Sequence, residues 1–253
     1  MARRPGRILV AAGTNGAGKS AIVGEFLAAK GGAYFNPDLA ARKLIQKGVP
    51  TEQANANAWK LGFNALQRAI DNNQDFSFET TLGGNTIARE LHKAIKARLK
   101  VYIWYVGLAS PELHIARVRA RVGRGGHEIP EAKIRERYPK SLANLVSFIG
   151  TAAEVHLFDN SSESADGLPR AMRVFRMRGK RIIEPDLEAL MTQTPNWAKP
   201  VVAAAVKVHT ARRKARKKKL MRRAVRERPN DRDRRARCER GSKMVARGSR
   251  PRT

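Results

Sequence analysis

The hydrophobic pattern of the chain alternates short apolar runs with longer segments of helical period. The runs RILVAA, FSFETT, KVYIWYVGL and EVHLFDNS predict strands, because apolar, β-branched and aromatic residues dominate each of them. The segments between them carry apolar residues three and four positions apart, which predicts amphipathic helices. Strands and helices alternate in this way from residue 7 to about residue 160. This order is typical of an α/β fold with a mostly parallel sheet flanked by helices.

Glycine, serine and proline residues predict where further strands and helices begin, turn or end. GGAYFNPD predicts a short second strand that ends in Asn-Pro-Asp, and RVFRMRGKRII predicts a hairpin that turns at Gly179. Ser110 and Pro111 have the preferences of a helix N-cap and first turn. Pro139 predicts a break between two helical pieces, EAKIRERY and SLANLVSFI, because proline disfavours helix in the residue before it.

The first predicted strand leads into GTNGAGKS, which has the P-loop spacing G-x-x-x-x-G-K-S. Glycine lets backbone N–H groups wrap closely around phosphate oxygens, and the following helix directs its positive end at the same anion. In this pattern Lys19 contacts the outer phosphates of ATP or GTP and the Ser20 hydroxyl ligates Mg²⁺. The alternative is a plain glycine-rich turn. The predicted nucleotide-binding residues are Gly13, Thr14, Asn15, Gly16, Ala17, Gly18, Lys19 and Ser20.

Two carboxylates follow predicted strands at the sheet edge where ligands bind. Asp38 is suited to accept the proton of an attacking hydroxyl, as a general base does in phosphoryl transfer; the alternative is that it caps a helix. Glu79 and Thr80 are predicted to contact the acceptor or to order the waters of Mg²⁺, or else to be turn and surface residues. The sequence has no Asn-Lys-x-Asp motif of a GTPase, and Glu79 is not part of a paired acidic motif.

A segment rich in arginine follows the strand KVYIWYVGL. It reads RVRARVGRGGHEIPEAKIRER, and we predict a lid over about residues 117–150 that closes over the phosphates. Arg121 and Arg137 are predicted to stabilise the charge on the transferring group, and Arg124 and His127 to contact the acceptor. The alternatives are an ordinary basic helix face for the arginines and a polar turn residue for His127.

The charge of the chain is unevenly distributed. The formal net charge is +29, and residues 207–253 contribute 21 Lys and Arg against 4 Asp and Glu. Such a segment has too few apolar side chains to order itself, so we predict a folded domain over residues 1–200 and a basic, disordered tail over residues 201–253. One interpretation is that the tail binds nucleic acid or another polyanion without sequence preference. The alternative is a solvated extension.

The lone Cys238 excludes an intramolecular disulfide, and no stretch approaches the roughly 20 apolar residues of a membrane span. We therefore predict a reducing, cytoplasmic setting without a membrane partner.

Four stretches, GTNGAGKS, YFNPDLAA, FSFETTLGG and RVGRGGHEIPEAKIRERYPKSLANL, resemble the zeta toxin family of P-loop kinases over about residues 7 to 160. The resemblance implies transfer of the γ-phosphate of ATP or GTP to the 3′-hydroxyl of a UDP-linked amino sugar such as UDP-N-acetylglucosamine, which starves wall synthesis. Larger family members begin with a helical region that an antitoxin engages, whereas here the cradle starts after twelve residues. The antitoxin partner is therefore left open.

The same resemblance implies roles for individual residues. Lys19 and Ser20 match the Walker A pair, and Asp38 matches the base that activates the sugar hydroxyl. Glu79 falls where the family has an acidic residue on the substrate side. Arg121 and Arg137 match the lid arginines that clamp phosphates.

We accordingly expect a cytoplasmic, Mg²⁺-dependent kinase that acts on a nucleotide sugar or a similar small hydroxyl acceptor. Two alternatives belong to other classes. One is a P-loop ATPase that uses the basic tail to associate with nucleic acid. The other is a non-enzymatic protein that binds polyanions.

Overall fold

The computed structural model describes residues 4–24, 34–126, 128–163 and 169–226. Six strands form one sheet: β1 (Arg7–Ala12), β2 (Phe76–Thr80), β3 (Lys100–Gly107), β4 (Glu154–Asp159), β5 (Met172–Arg178) and β6 (Arg181–Glu184). Their order across the sheet is β2-β1-β3-β4-β5-β6. The first four strands of this order are parallel, and β5 and β6 are antiparallel to their neighbours. The mostly parallel α/β sheet is confirmed, as is the hairpin at Gly179, whose φ is +51°.

Helices connect and flank these strands. They are α1 (Pro37–Gln46), α2 (Thr51–Asp71), α3 (Asn85–Lys96), α4 (Pro111–Val122), α5 (Glu131–Phe148), α6 (Leu187–Gln193) and α7 (Lys199–Arg226). A π-helical turn covers Ser20–Gly24, and a 3₁₀ turn covers Asn196–Ala198. The remainder of the helix predicted after the glycine-rich loop lies outside the described residues. Ser110 caps α4 as predicted, since its hydroxyl accepts a hydrogen bond from the Leu113 amide.

The core lies on both faces of the sheet because successive strand residues point to opposite sides. On one face, Ile8 and Val10 of β1 pack in a large cluster with Leu91 of α3 and Leu145 of α5. On the other face, Ala11 belongs to a smaller cluster with residues that include Val23, Val106 and Phe158. The loops that follow the carboxyl ends of the parallel strands build the site.

One local prediction is wrong. α5 runs unbroken through Pro139, because Ile134, Leu145 and Phe148 lie on one buried face and this packing outweighs the local preference of proline. The first residues of the second predicted strand, 31–33, lie outside the described residues, and its described part forms a parallel bridge between Phe35 and Phe78.

The boundary predicted at residue 200 falls inside α7 and is also wrong. Val201, Val202 and Ala205 are buried in the large core cluster, because this short apolar run packs before the charged residues begin. The compact unit extends to Thr210, and a second unit begins at Ala211. Residues 211–226, predicted to be disordered, are helical, and the rest of the predicted tail lies outside the described residues. Among the described helices, none combines the length and hydropathy that crossing a membrane requires.

Candidate active site

The glycine-rich loop passes directly from β1 over the end of β3. Gly13 has a φ of +138°, and a Cβ at this position would lie 2.1 Å from the Val106 carbonyl oxygen. Only glycine therefore lets the loop turn so close to the neighbouring strand. The predicted cradle residues Thr14, Asn15 and Lys19 are buried within this turn.

Two residues that the sequence interpretation missed hold the loop in place. The Asn160 side chain, which follows β4, donates from Nδ2 to the Ala17 carbonyl oxygen at 2.9 Å. His114 of α4 is buried, and its Nδ1 lies 2.7 Å from the Asn15 carbonyl oxygen, so Nδ1 carries the proton and donates. Burial lowers the pKa of His114 to about 4, which keeps the ring neutral near pH 7. The loop conformation is thus fixed by one contact from the residue after β4 and one from α4.

The Glu79 carboxylate lies at the centre of the hydrogen bonds beside the loop. Its Oε2 accepts from the Ser20 hydroxyl at 2.8 Å, the Tyr34 hydroxyl at 2.9 Å and the Asn36 amide at 2.9 Å. Its Oε1 lies 3.4 Å from the Lys19 ammonium, which is also 3.4 Å from the Thr14 carbonyl oxygen. Lys19 and Glu79 are 6% and 8% exposed, so this ion pair is buried. Glu79 therefore lies beside Lys19 and Ser20.

These oxygens fit the chemistry of Mg²⁺ that the P-loop pattern implies. Mg²⁺ takes oxygen ligands and is usually held by one or two carboxylates together with water and phosphate. The Ser20 hydroxyl and the Glu79 carboxylate offer such oxygens side by side. Burial and the neighbouring Glu79 raise the pKa of Tyr34, so its hydroxyl stays a donor to that carboxylate. Within the described ranges no cluster of three or more His, Cys, Asp or Glu forms a separate metal cage.

Asp38 lies in the first turn of α1, but it does not cap this helix. The cap is Asn36, whose Oδ1 accepts from the amides of Asp38 and Leu39. The Asp38 side chain is half-exposed, and its Oδ2 lies 3.8 Å from the Arg121 guanidinium at the end of α4. Because Asn36 also bonds Glu79, the start of α1 is tied to the network around Lys19.

Arg137 of α5 contacts the glycine-rich loop. Its Nη1 donates to the Asn15 side-chain oxygen at 2.9 Å. The approach depends on Gly83, where a Cβ would lie 2.8 Å from the Arg137 Cβ. Arg124 is exposed in the turn after α4, and His127 lies outside the described residues. The structure therefore brings Arg121 to Asp38 and Arg137 to Asn15, one arginine from each helix of the predicted lid.

A cleft of about 770 Å³ opens beside these residues. Asp38, Glu79, Thr80 and Arg137 contribute to its polar side. Its apolar side includes two stacked aromatic rings of α2, Trp59 and Phe63, whose centroids are 5.1 Å apart at an angle of 9°. Trp59 is 49% exposed although it is a large aromatic residue. The sequence interpretation missed this pair, whose spacing of four residues on one helix was the available signal.

Several known proteins are similar to this chain in sequence or in backbone structure. An uncharacterised protein of Haemophilus influenzae is 31% identical over 134 residues, which cover 50% of this chain and 88% of that protein. The AvrRxo1-ORF1:AvrRxo1-ORF2 complex with ATP has a similar fold, with a TM-score of 0.54 and 16% identity over 81% of this chain and 76% of that chain. The PezAT chromosomal toxin–antitoxin system of Streptococcus pneumoniae gives a TM-score of 0.48 and 14% identity over 83% of this chain and 88% of that one. Residues 2–166 match the Zeta toxin family, so the chain belongs to this family and carries its P-loop kinase fold.

Proposed function

We propose that the chain transfers the γ-phosphate of ATP to a hydroxyl of a small acceptor bound in the 770 Å³ cleft. The observation that carries this proposal is the meeting of Lys19, Ser20 and Glu79 beside a cleft that Asp38 and Arg137 also line. Asn15 of the phosphate-binding loop thus also lines a cavity large enough for a small acceptor. The match to the Zeta toxin family supports phosphoryl transfer as the reaction.

Phosphoryl transfer needs positioning and charge stabilisation more than covalent chemistry. Lys19 would bind the outer phosphates from within the loop, and Arg137 would reach them from α5 across Asn15. Ser20 and Glu79 would hold Mg²⁺, which, when bound, neutralises charge on the phosphates. The buried setting of Lys19 and Glu79 keeps bulk water from screening these interactions.

Asp38 is proposed as the general base. Its carboxylate lines the cleft, and Asn36 fixes the helix turn that presents it. It would accept the proton of the acceptor hydroxyl as the hydroxyl oxygen attacks the γ-phosphorus and the bond to the β–γ bridging oxygen of ATP breaks. Arg121, 3.8 Å from Asp38, would hold the carboxylate in the cleft.

The walls of the cleft support a nucleotide sugar as acceptor, with UDP-N-acetylglucosamine as the first candidate. The Trp59 ring is exposed to the cleft and can stack on a nucleobase, and Lys133 offers a cation for a diphosphate. The cleft volume lies within the ordinary range for pockets that bury small ligands. ATP is proposed over GTP because the AvrRxo1 complex of similar fold is described with ATP.

The proposal is tested with the full chain, Mg²⁺ and labelled ATP against a panel of UDP-sugars and the corresponding free sugars. We expect label on a UDP-amino sugar and little on the free sugar. Asp38→Asn should lower kcat by about 10²- to 10⁴-fold with ATP affinity retained. The matched control is Asp71→Asn, an exposed carboxylate at the end of α2, which should leave kcat unchanged.

Unchanged turnover in Asp38→Asn would remove this residue from the mechanism. If no acceptor is labelled and ATP hydrolysis instead rises with added nucleic acid, the chain is an ATPase, and the kinase proposal is wrong.

A further inference from the structure

The charged side chains of the second half of α7 all have the same sign. Residues 211–226 contain ten Lys and Arg and no Asp or Glu. Every side chain described between residues 211 and 222 is exposed. These include Leu220 and Met221, at 57% and 62% exposure. The kinase geometry described above uses none of these residues.

This helix lacks the usual sources of stability. Like charges four residues apart, such as Arg212 with Arg216 and Lys214 with Lys218, each destabilise a helix by about 0.2–0.5 kcal/mol. Between residues 212 and 226, apolar positions four residues apart, Leu220 with Ala224 and Met221 with Val225, occur only near the end of the helix. Residues 212–219 are seven Lys and Arg and one Ala, so this stretch has no apolar face to pack on a protein core. A partner that carries a dense negative charge would remove the repulsion.

We infer that residues 211–226 bind the phosphate backbone of double-stranded nucleic acid without sequence preference. A duplex presents one phosphate charge about every 1.7 Å of its axis, and its major groove is about as wide as an α-helix. Residues 211–226 contain no aromatic residue on which an unpaired base could stack, which favours a duplex over a single strand. The charge signs are complementary, and this inference does not depend on the proposed kinase reaction.

The spacing of the cations fits a backbone contact. Arg212, Arg216 and Lys219 are four and three residues apart, so they lie on one side of the helix over about 10 Å. Arg213 and Lys214 provide cations on other sides. Because a cation faces every direction, about three phosphates can be neutralised at once in any orientation, and no base contact is needed.

The test measures fluorescence anisotropy of labelled 20-base-pair DNA and RNA duplexes of scrambled sequence with the full chain, over a range of KCl concentrations. We expect a micromolar Kd near 100 mM KCl and a linear fall of log K with log [KCl], by about 0.9 for each phosphate contacted. One variant changes six basic residues of the helix to Gln: Arg212, Arg213, Lys214, Arg216, Lys218 and Lys219. Its slope should fall by about 3, and its Kd should rise at least about tenfold.

The matched control changes six exposed basic residues of the folded unit to Gln: Lys43, Lys47, Lys60, Arg89, Lys96 and Lys100. It has the same net charge as the helix variant, and its salt slope should stay close to that of the unchanged protein. ATP binding and thermal unfolding of both variants check that the folded unit is intact.

Three results would overturn the inference. The first is an equal loss of binding in both variants, which would indicate net charge alone. The second is tighter binding to a single strand than to the duplex. The third is tighter binding to vesicles of anionic phospholipid than to either duplex.

Discussion

Substitution Glu79→Gln tests whether the buried charge pair holds the phosphate-binding loop together. Gln has nearly the same shape, so it can keep an oxygen where Oε2 accepts from Ser20, Tyr34 and Asn36. The amide nitrogen of Gln then takes the place of Oε1, the oxygen that lies 3.4 Å from the Lys19 ammonium. The substitution therefore leaves a buried ammonium whose remaining neighbour is the Thr14 carbonyl oxygen at 3.4 Å.

The size of the effect follows from this burial. Removing one partner of a buried ion pair costs about 3–5 kcal/mol, and the long Lys19–Glu79 distance favours the lower end, about 3 kcal/mol. For a unit of about 200 residues, 1 kcal/mol shifts Tm by about 2–4 °C, so Tm should fall by about 9 °C.

Differential scanning calorimetry measures this shift within a double-mutant cycle. Lys19→Met in the Glu79→Gln background removes the unpaired charge, so the double variant should be more stable than the sum of the single effects predicts, by at least about 1 kcal/mol. Glu188→Gln, an exposed carboxylate of α6, is the matched control and should leave Tm unchanged. Additive single effects in the cycle would refute the assigned coupling between Lys19 and Glu79.

The remaining predictions concern pH and the cleft. The folded pKa of His114 is lowered to about 4, so between pH 6.5 and 4 the unfolded state binds a proton that the folded state excludes. The free energy of unfolding, measured with urea, should fall by about 3 kcal/mol across this window, and it should fall by less in His114→Gln. Equal pH dependence in the two proteins would contradict this prediction. Trp59→Ala should raise KM for the nucleotide sugar about tenfold with kcat retained. The control Leu61→Ala, at an exposed position of the same helix, should leave KM unchanged. Equal KM values for both variants would exclude stacking of the nucleobase on Trp59.

The order of elements could be predicted because each strand or helix depends mainly on its own apolar pattern. β3 and α3 are examples, and the glycine-rich loop follows β1 as its spacing requires. Pro139 shows where this reasoning fails. Its local preference is real, but the buried face of α5 extends on both sides of it, and packing decides the outcome.

The candidate site was predicted less completely because its contacts join distant parts of the chain. Asn160 bonds Ala17 across 143 positions, and no local pattern marks it. Asn36 is an ordinary turn residue in the sequence, yet it caps α1 and bonds Glu79. Trp59 follows the helical period of α2 but points into a cleft that only the folded chain creates.

The cations of the site are held in ways that favour exchange with a nucleotide. Lys19 has only 3.4 Å contacts with its two oxygen partners, and Arg137 bonds the neutral amide oxygen of Asn15. A phosphate is a stronger acceptor than an amide oxygen, so these side chains can change partners without rebuilding the loop. His114 stays neutral and Asn160 stays bonded to Ala17, so the backbone is already in place when the anion arrives. Nucleotide affinity should therefore depend on the residues that hold the loop as well as on those that would touch phosphate.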